Sequence, residues 1–237
     1  MKLTLGSALL ACAVALPAHA DDCKHTAHRT VNSAGPGIER VVIEAKAGDL
    51  VVRGAESRDV SVEGRACAST AELLEASQLE IRREGTTVYV RTVLPDIQDS
   101  FFGMGRYAYM DVRVGVPKNA TLKIDDSSGD MEVAEVQAAT ITDSSGDVDV
   151  DGVQGDVLVE VDSSGDLDIR HVSGGVHVRN DSSGDIEIHD VKRDVLIDED
   201  SSGGIRVQDV GGNFTVGSDG SGGIHFERVT GQVQLPD

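Results

Sequence analysis

From residue 126 onward, apolar side chains return in a fixed cycle set off by a recurring polar turn. Asp-Ser-Ser-Gly-Asp stands at 126–130, 143–147, 162–166 and 181–185, then as Asp-Ser-Ser-Gly-Gly at 200–204 and Asp-Gly-Ser-Gly-Gly at 219–223; the starts are 17, 19, 19, 19 and 19 residues apart. With the leading Asp as position one, position six reads Met131, Val148, Leu167, Ile186, Ile205 and Ile224, and position eight reads Val133, Val150, Ile169, Ile188, Val207 and Phe226. Position eleven is Val in all six units; the five full-length units add Val157, Val176, Val195, Phe214 and Val233 at fifteen, and Val159, Val178, Ile197, Val216 and Leu235 at seventeen. Such alternation places side chains on opposite faces of a strand. Each unit is therefore predicted to hold two short strands and two turns. It cannot bury its apolar edge alone, but stacking the units makes a continuous core.

A 19-residue unit is too short for a four-stranded propeller blade, and equivalent strands of successive units run the same way. The predicted fold is all-β: a single-stranded parallel β-solenoid with six coils over 126–237, rising about 4.8 Å per coil. Gly129, Gly146, Gly165, Gly184, Gly203 and Gly222 mark one corner, where a positive φ is cheap for Gly alone. A second corner is expected near Gly155, Gly174, Gly212 and Gly231, with Arg193 as the exception. The first coil lacks two residues before Asp143, so its second strand should be shortened.

Residues 38–125 read as a divergent β-repeat region. Ala47 to Gly54 imitates the turn and first strand of the repeat, and Asp59 to Gly64 imitates the second. A short helix is expected over 69–77, and strands over 79–83, 87–93, 109–116 and 121–124. The loop from Pro95 to Met110 gathers Phe101, Phe102, Met104, Tyr107 and Tyr109, and this concentration suggests an end cap over the core or a partner contact. Residues 21–37 have no apolar period and are expected to be a flexible leader.

The first twenty residues set the expected compartment. Met1-Lys2, the apolar run from Leu3 to Leu16, and Pro17-Ala18-His19-Ala20 form a secretory signal with a small-x-small cleavage site. The run is shorter than the roughly 20 residues of a membrane span, and Leu9-Leu10-Ala11-Cys12 makes a poor lipoprotein site. The mature chain is expected to begin at Asp21, in the periplasm or outside the cell, without a membrane span. The formal charge is −20, and it becomes one unit more negative when Lys2 leaves. Such a field repels phosphate backbones, which makes nucleic acid an unfit partner. Four Phe, three Tyr and no Trp leave the interior to small aliphatic side chains. Of the three cysteines, Cys12 departs with the signal, and in an oxidising compartment Cys23 and Cys67 are expected to pair. The alternative, a metal cluster of Cys23, His25 and His28, fits no familiar zinc spacing.

Val116-Pro117-Lys118-Asn119-Ala120-Thr121-Leu122-Lys123-Ile124, followed by repeated Ser-Gly-Asp-apolar-x-apolar units, resembles the bacterial toastrack family of β-strand repeats, also labelled "putative adhesin". The resemblance runs over roughly residues 40 to 237. It implies a β-solenoid at the cell envelope, with adhesion or envelope-stress signalling proposed for the family and no established catalytic residues. It carries no ligand contact over to any residue of this sequence.

Catalytic motifs are missing from the sequence: there is no Gly-x-Ser-x-Gly elbow, His-Glu-x-x-His or phosphate loop. His171, His177, His189 and His225 stand at repeat positions ten, sixteen, nine and seven, so they form no ladder beside the turn serines. The expectation is a non-catalytic binding or structural surface, with an envelope protein or glycan as partner. The alternative is a calcium-dependent protein that binds or modifies polysaccharide. In the first four coils positions one, five and seven are all acidic, which suggests one outward stripe of twelve carboxylates. Asp130, Asp147, Asp149, Asp166, Asp168 and Asp185 are its candidate Ca²⁺ ligands, since calcium takes several oxygens. The competing reading gives each leading Asp the amides of its own turn and leaves the outward acids as a solvated face. No other cofactor is expected, and the last coil could pair with a second copy into a weak homodimer.

Overall fold

The computed structural model describes residues 23–97 and 105–236. The expected signal sequence lies outside the described residues, as do Phe101, Phe102 and Met104 of the aromatic loop. Among the described residues no helix is long and apolar enough to cross a membrane.

The first part of the chain forms β1 (His25–Ser33), β2 (Arg40–Glu44), β3 (Leu50–Ala55), β4 (Val60–Ala68), the helix α1 (Ala71–Ala76), β5 (Gln78–Glu84), β6 (Thr87–Val93), β7 (Ala108–Pro117) and β8 (Thr121–Asp125). The repeats follow as β9 (Met131–Ala134), β10 (Ala138–Asp143), β11 (Val148–Val153), β12 (Val157–Asp162), β13 (Leu167–Val172), β14 (Val176–Asp181), β15 (Ile186–Val191), β16 (Val195–Asp200), β17 (Ile205–Val210), β18 (Phe214–Asp219), β19 (Ile224–Val229) and β20 (Val233–Gln234). Two ten-stranded sheets result, ordered β1-β4-β7-β3-β9-β11-β13-β15-β17-β19 and β20-β18-β16-β14-β12-β10-β8-β2-β6-β5. From β8 onward every pairing within a sheet is parallel and joins equivalent positions, as in Val150↔Ile169 and Val176↔Val195. This is the all-β parallel solenoid with 19-residue coils that the repeat predicts.

The five apolar columns face the space between the sheets. From Met131 to Val216 their members are at most 2% exposed, and each fully buried aliphatic contributes about 1.5–3 kcal/mol relative to exposure. The short first coil absorbs both missing residues. One is lost at the corner, where Gln137 and Ala138 do the work of three residues. The other is lost inside the strand, where the β10–β12 register shifts between Ile141 and Thr142.

The coil corners differ in chemistry. At Gly165 (φ +128°) an added Cβ would lie 1.9 Å from the Gly146 carbonyl oxygen, so the turn glycines stack too closely for any side chain. The opposite corner turns at position ten, where Glu135, His171, Asp190, Asp209 and Arg228 hold φ between 53° and 58°, and Gly152 holds 72°. The expected corner glycines at position thirteen have no positive φ among them. Instead they permit close stacking, as where a Cβ on Gly174 would meet the Gly155 carbonyl oxygen at 2.4 Å. The left-handed turn thus falls three residues earlier than Gly placement suggests.

The N-terminal region departs most from its reading. β2 and β3 do form a coil of the solenoid, stacked directly on β8 and β9 through Ile43↔Ile124 and Leu50↔Met131. Gly48 takes the turn position, with its N–H donating to the Ser128 carbonyl at 3.0 Å. Asp59–Gly64, however, is no second strand of a coil: Val60–Gly64 opens β4, which is antiparallel to β7 and β1 in the first sheet. Nor is 21–37 a flexible leader through its length, because His25–Ser33 forms an edge strand along β4. Arg83 then holds the carbonyls of Ala34 and Pro36 at 3.0 and 2.8 Å. The strand lacks an apolar period because its backbone ladder, not its side chains, fastens it. The helix appears where expected, with Thr70 as N-cap accepting the Leu73 amide and Leu73 buried.

Candidate functional surface

The acidic stripe divides into three rows with three environments. Position one is not outward. Asp143, Asp162, Asp181 and Asp200 end β10, β12, β14 and β16, Asp126 directly follows β8, and each of the five is 0–1% exposed. They stack in register, Asp143↔Asp162↔Asp181↔Asp200, with neighbouring strands about 4.8 Å apart. The inversion follows from two successive outward residues at positions eighteen and nineteen, such as Glu160 and Val161, after which the chain turns the Asp inward. Burial pushes Asp126, Asp162 and Asp181 up to about 7 and Asp143 up to about 6, and neighbouring acids of the row add to this for all but Asp143. Asp200 is raised as well, by burial and then by Asp219. The turn amides oppose the shift. Ser127 N–H reaches Asp126 at 2.9 Å and Ser202 N–H reaches Asp200 at 3.1 Å, but both oxygens of Asp143, Asp162 and Asp181 lack a hydrogen-bond partner among the described residues.

Position five is exposed and already engaged. Asp130, Asp147, Asp166 and Asp185 each accept the backbone N–H of the equivalent residue in the next coil, at 3.2, 2.9, 2.9 and 2.8 Å. A second ladder runs along the other corner, where Asp156, Asp194 and Asn213 accept the amides of Gly175, Asn213 and Gln232. Position seven is half-buried and ion-paired: Arg170 bridges Asp149 at 2.7 Å and Asp168 at 3.0 Å, Arg53 meets Glu132, and Arg206 meets Glu187. Exposed pairs of this kind contribute at most about 1 kcal/mol each, so their value is mainly the neutralisation of a like-charge row. The six candidate calcium ligands therefore fall into two rows with other partners. Among the described residues no group of three or more His, Cys, Asp or Glu converges as a metal site.

Cys23 and Cys67 are joined by a disulfide with a Cα–Cα distance of 5.7 Å, beside the first pairs of β1 and β4. On the same corner the Tyr107 hydroxyl accepts the Lys24 amide at 3.1 Å, and the Tyr107 amide donates to Ser69 Oγ at 3.0 Å. The Tyr107 and Tyr109 rings lie 6.3 Å apart. Among the described residues, therefore, these two aromatics sit at the β1–β4–β7 corner.

Sequence reasoning passed over a groove of about 620 Å³ formed near β2, β5 and β6. Its polar rim holds Glu44, Arg82, Tyr89 and Arg91. Arg82 lies over the Tyr89 ring at 4.7 Å, and Arg91 faces Glu44 at 3.6 Å. An outward aromatic within the alternating run Thr87–Val93 was the available signal. Aromatic and guanidinium faces together suit a sugar ring or an acidic group.

A family model described as Toastrack DUF4097 matches residues 38–233. Among solved structures, a "putative adhesin" from Bacteroides fragilis is 11% identical, with 90% of this chain and 98% of that one covered and a TM-score of 0.42. A "putative lipid binding protein" from Parabacteroides distasonis is 15% identical, with 89% and 97% covered and a TM-score of 0.40. A "putative cell adhesion protein" from Clostridium sporogenes is 12% identical, with 89% and 98% covered and a TM-score of 0.38. No curated protein matches the chain.

Proposed function

The chain belongs to the Toastrack DUF4097 family, and we propose that it is a secreted, non-catalytic β-solenoid acting at the cell envelope as an adhesin-like binding or structural surface. The observation that carries the reading is the filled interior. Aliphatic columns at most 2% exposed from Met131 to Val216 leave no internal chamber there, so recognition falls to outward faces and edges. The rim of Arg82, Tyr89, Arg91 and Glu44 is the contact we assign to an envelope glycan or protein. The adhesion names carried by similar structures agree with this role, and the signal-like residues 1–20 supply the route to the periplasm or beyond.

The test is retention of the mature chain on native envelope fractions and on a polysaccharide panel. Retention that falls at least tenfold in Arg82→Ala/Tyr89→Ala, with melting unchanged, supports the groove. Retention abolished by a chelator and restored by calcium favours the calcium-dependent alternative, and release of soluble sugar from a bound polysaccharide makes the protein an enzyme.

A further inference from the structure

A polar column runs through the interior, apart from any binding surface. A solenoid of this length could fill every inward column with Val, Leu and Ile, yet one column is made of carboxyls. Asp126, Asp143, Asp162, Asp181 and Asp200 stack along the second sheet at 0–1% exposure. Asp143, Asp162 and Asp181 have no hydrogen bond of ordinary geometry to either oxygen among the described residues, and the nearby serine amides of their turns only partly oppose the effect of burial. An ionised carboxylate in such a place is costly, and a row of them in register costs more. Charged groups acting on the column are Asp49 of the β3 turn, Asp125 at the end of β8, Asp147 and Asp185 of the adjoining turns, and Asp219 at the end of β18; all are acids. Nothing in that set offsets a negative charge. Two neutral carboxyls, or one neutral and one ionised, can instead hydrogen-bond to each other across a 4.8 Å step of about strand spacing.

We propose that the stacked Asp126, Asp143, Asp162, Asp181 and Asp200 form a proton-sharing column that tightens the solenoid on acidification and loosens it as the pH passes neutral. In the unfolded chain these groups titrate near about 3.9. Their folded values are raised to about 6 for Asp143 and about 7 for Asp126, Asp162 and Asp181. The folded state therefore binds more protons between those limits. The stabilisation is fully present below the unfolded value and is lost as the pH rises through 6 to 7, the opposite of ordinary acid denaturation. The column also accounts for the leading Asp of the first five units, whose turns could otherwise be capped by Ser or Asn.

The test uses the full mature chain, melted at pH 5 and pH 8, with Asp162→Asn/Asp181→Asn and, as control, Asp156→Asn at the exposed opposite corner. Wild type should melt several degrees higher at pH 5, the double variant should lose much of that difference by gaining stability at pH 8, and the control should keep it. Infrared spectra of the folded wild type near pH 6 should contain the carbonyl band of protonated carboxylic acid, a readout that survives if the double variant fails to fold. Carboxylate bands alone at that pH, or an undiminished pH difference in a folded double variant, would overturn the proposal.

Discussion

The Oδ1 of Asp147 accepts the backbone N–H of Asp166 at 2.9 Å, one coil further along the solenoid. The same bond recurs from Asp130 to Asp185, so the fifth residue of the turn serves its neighbour's backbone as well as its own charge. The amides on either side of Asp166 bond to carbonyls of the following coil, Gly165 N–H to Ser183 and Leu167 N–H to Asp185, whereas the Asp166 amide faces the preceding coil and finds a side-chain oxygen there. That short side-chain acceptor satisfies it.

Acceptor and charge can be separated at this position. Asp147→Ala should cost about 0.5–1.5 kcal/mol in urea unfolding, the usual net value of a hydrogen bond. Asp147→Asn keeps the oxygen, removes repulsion along the row, and should be neutral or slightly stabilising. Equal losses in the two variants would show that the acceptor is unimportant, and a calcium-specific rise in melting temperature abolished by Asn would make these carboxylates ion ligands.

The turn glycines should tolerate nothing larger. Gly165→Ala combines φ +128° with a Cβ 1.9 Å from the Gly146 oxygen, and backbone strain plus overpacking should cost about 3 kcal/mol or more. Gly204→Ala, with no positive φ and its nearest neighbour the flexible Asp185 carboxylate at 3.3 Å, should stay within about 0.5 kcal/mol of wild type. Thermal melting of the pair checks the contrast.

Removing the disulfide should release the edge strand first. Cys23 and Cys67 are 44 residues apart, and a loop of that length is worth about 4 kcal/mol or less in the chain-entropy description. Cys23→Ser should lower the melting temperature and speed hydrogen exchange in β1 more than in β11–β17. Peptide mapping without reductant should recover one linked pair from periplasmically expressed protein; two free thiols would contradict the bond.

Among the described residues the last coil exposes apolar side chains. Phe226, Val233 and Leu235 are 42, 37 and 38% exposed, while their counterparts one coil earlier, Val207, Phe214 and Val216, are 0–2% exposed. We expect weak self-association through β19 and β20, the homodimer of the proposed envelope surface. Light scattering should detect it at high concentration in the mature chain and lose it in Phe226→Ser/Leu235→Ser. Monomer throughout would reject it.

Much of this architecture was legible beforehand because a solenoid writes its period into its sequence. Val148, Val150 and Val153 meet Leu167, Ile169 and Val172 in the sheet for the same reason that they align as text: each coil buries its apolar edge only against a near copy of itself. The helix at Ala71–Ala76 was equally local, capped by Thr70. Tertiary structure alone decided where the alternation breaks. Positions eighteen and nineteen both face out, and only then does Asp162 turn inward, so a carboxyl that reads as the start of an acidic turn becomes a buried column. β1 was hidden for a related reason, since its hold on β4 is backbone hydrogen bonding and a distant cysteine, neither of which leaves a period. Composition and spacing report which side chains seek the interior; they do not report a polar group carried inside by its neighbours, because that is settled by the path of the backbone across the whole stack.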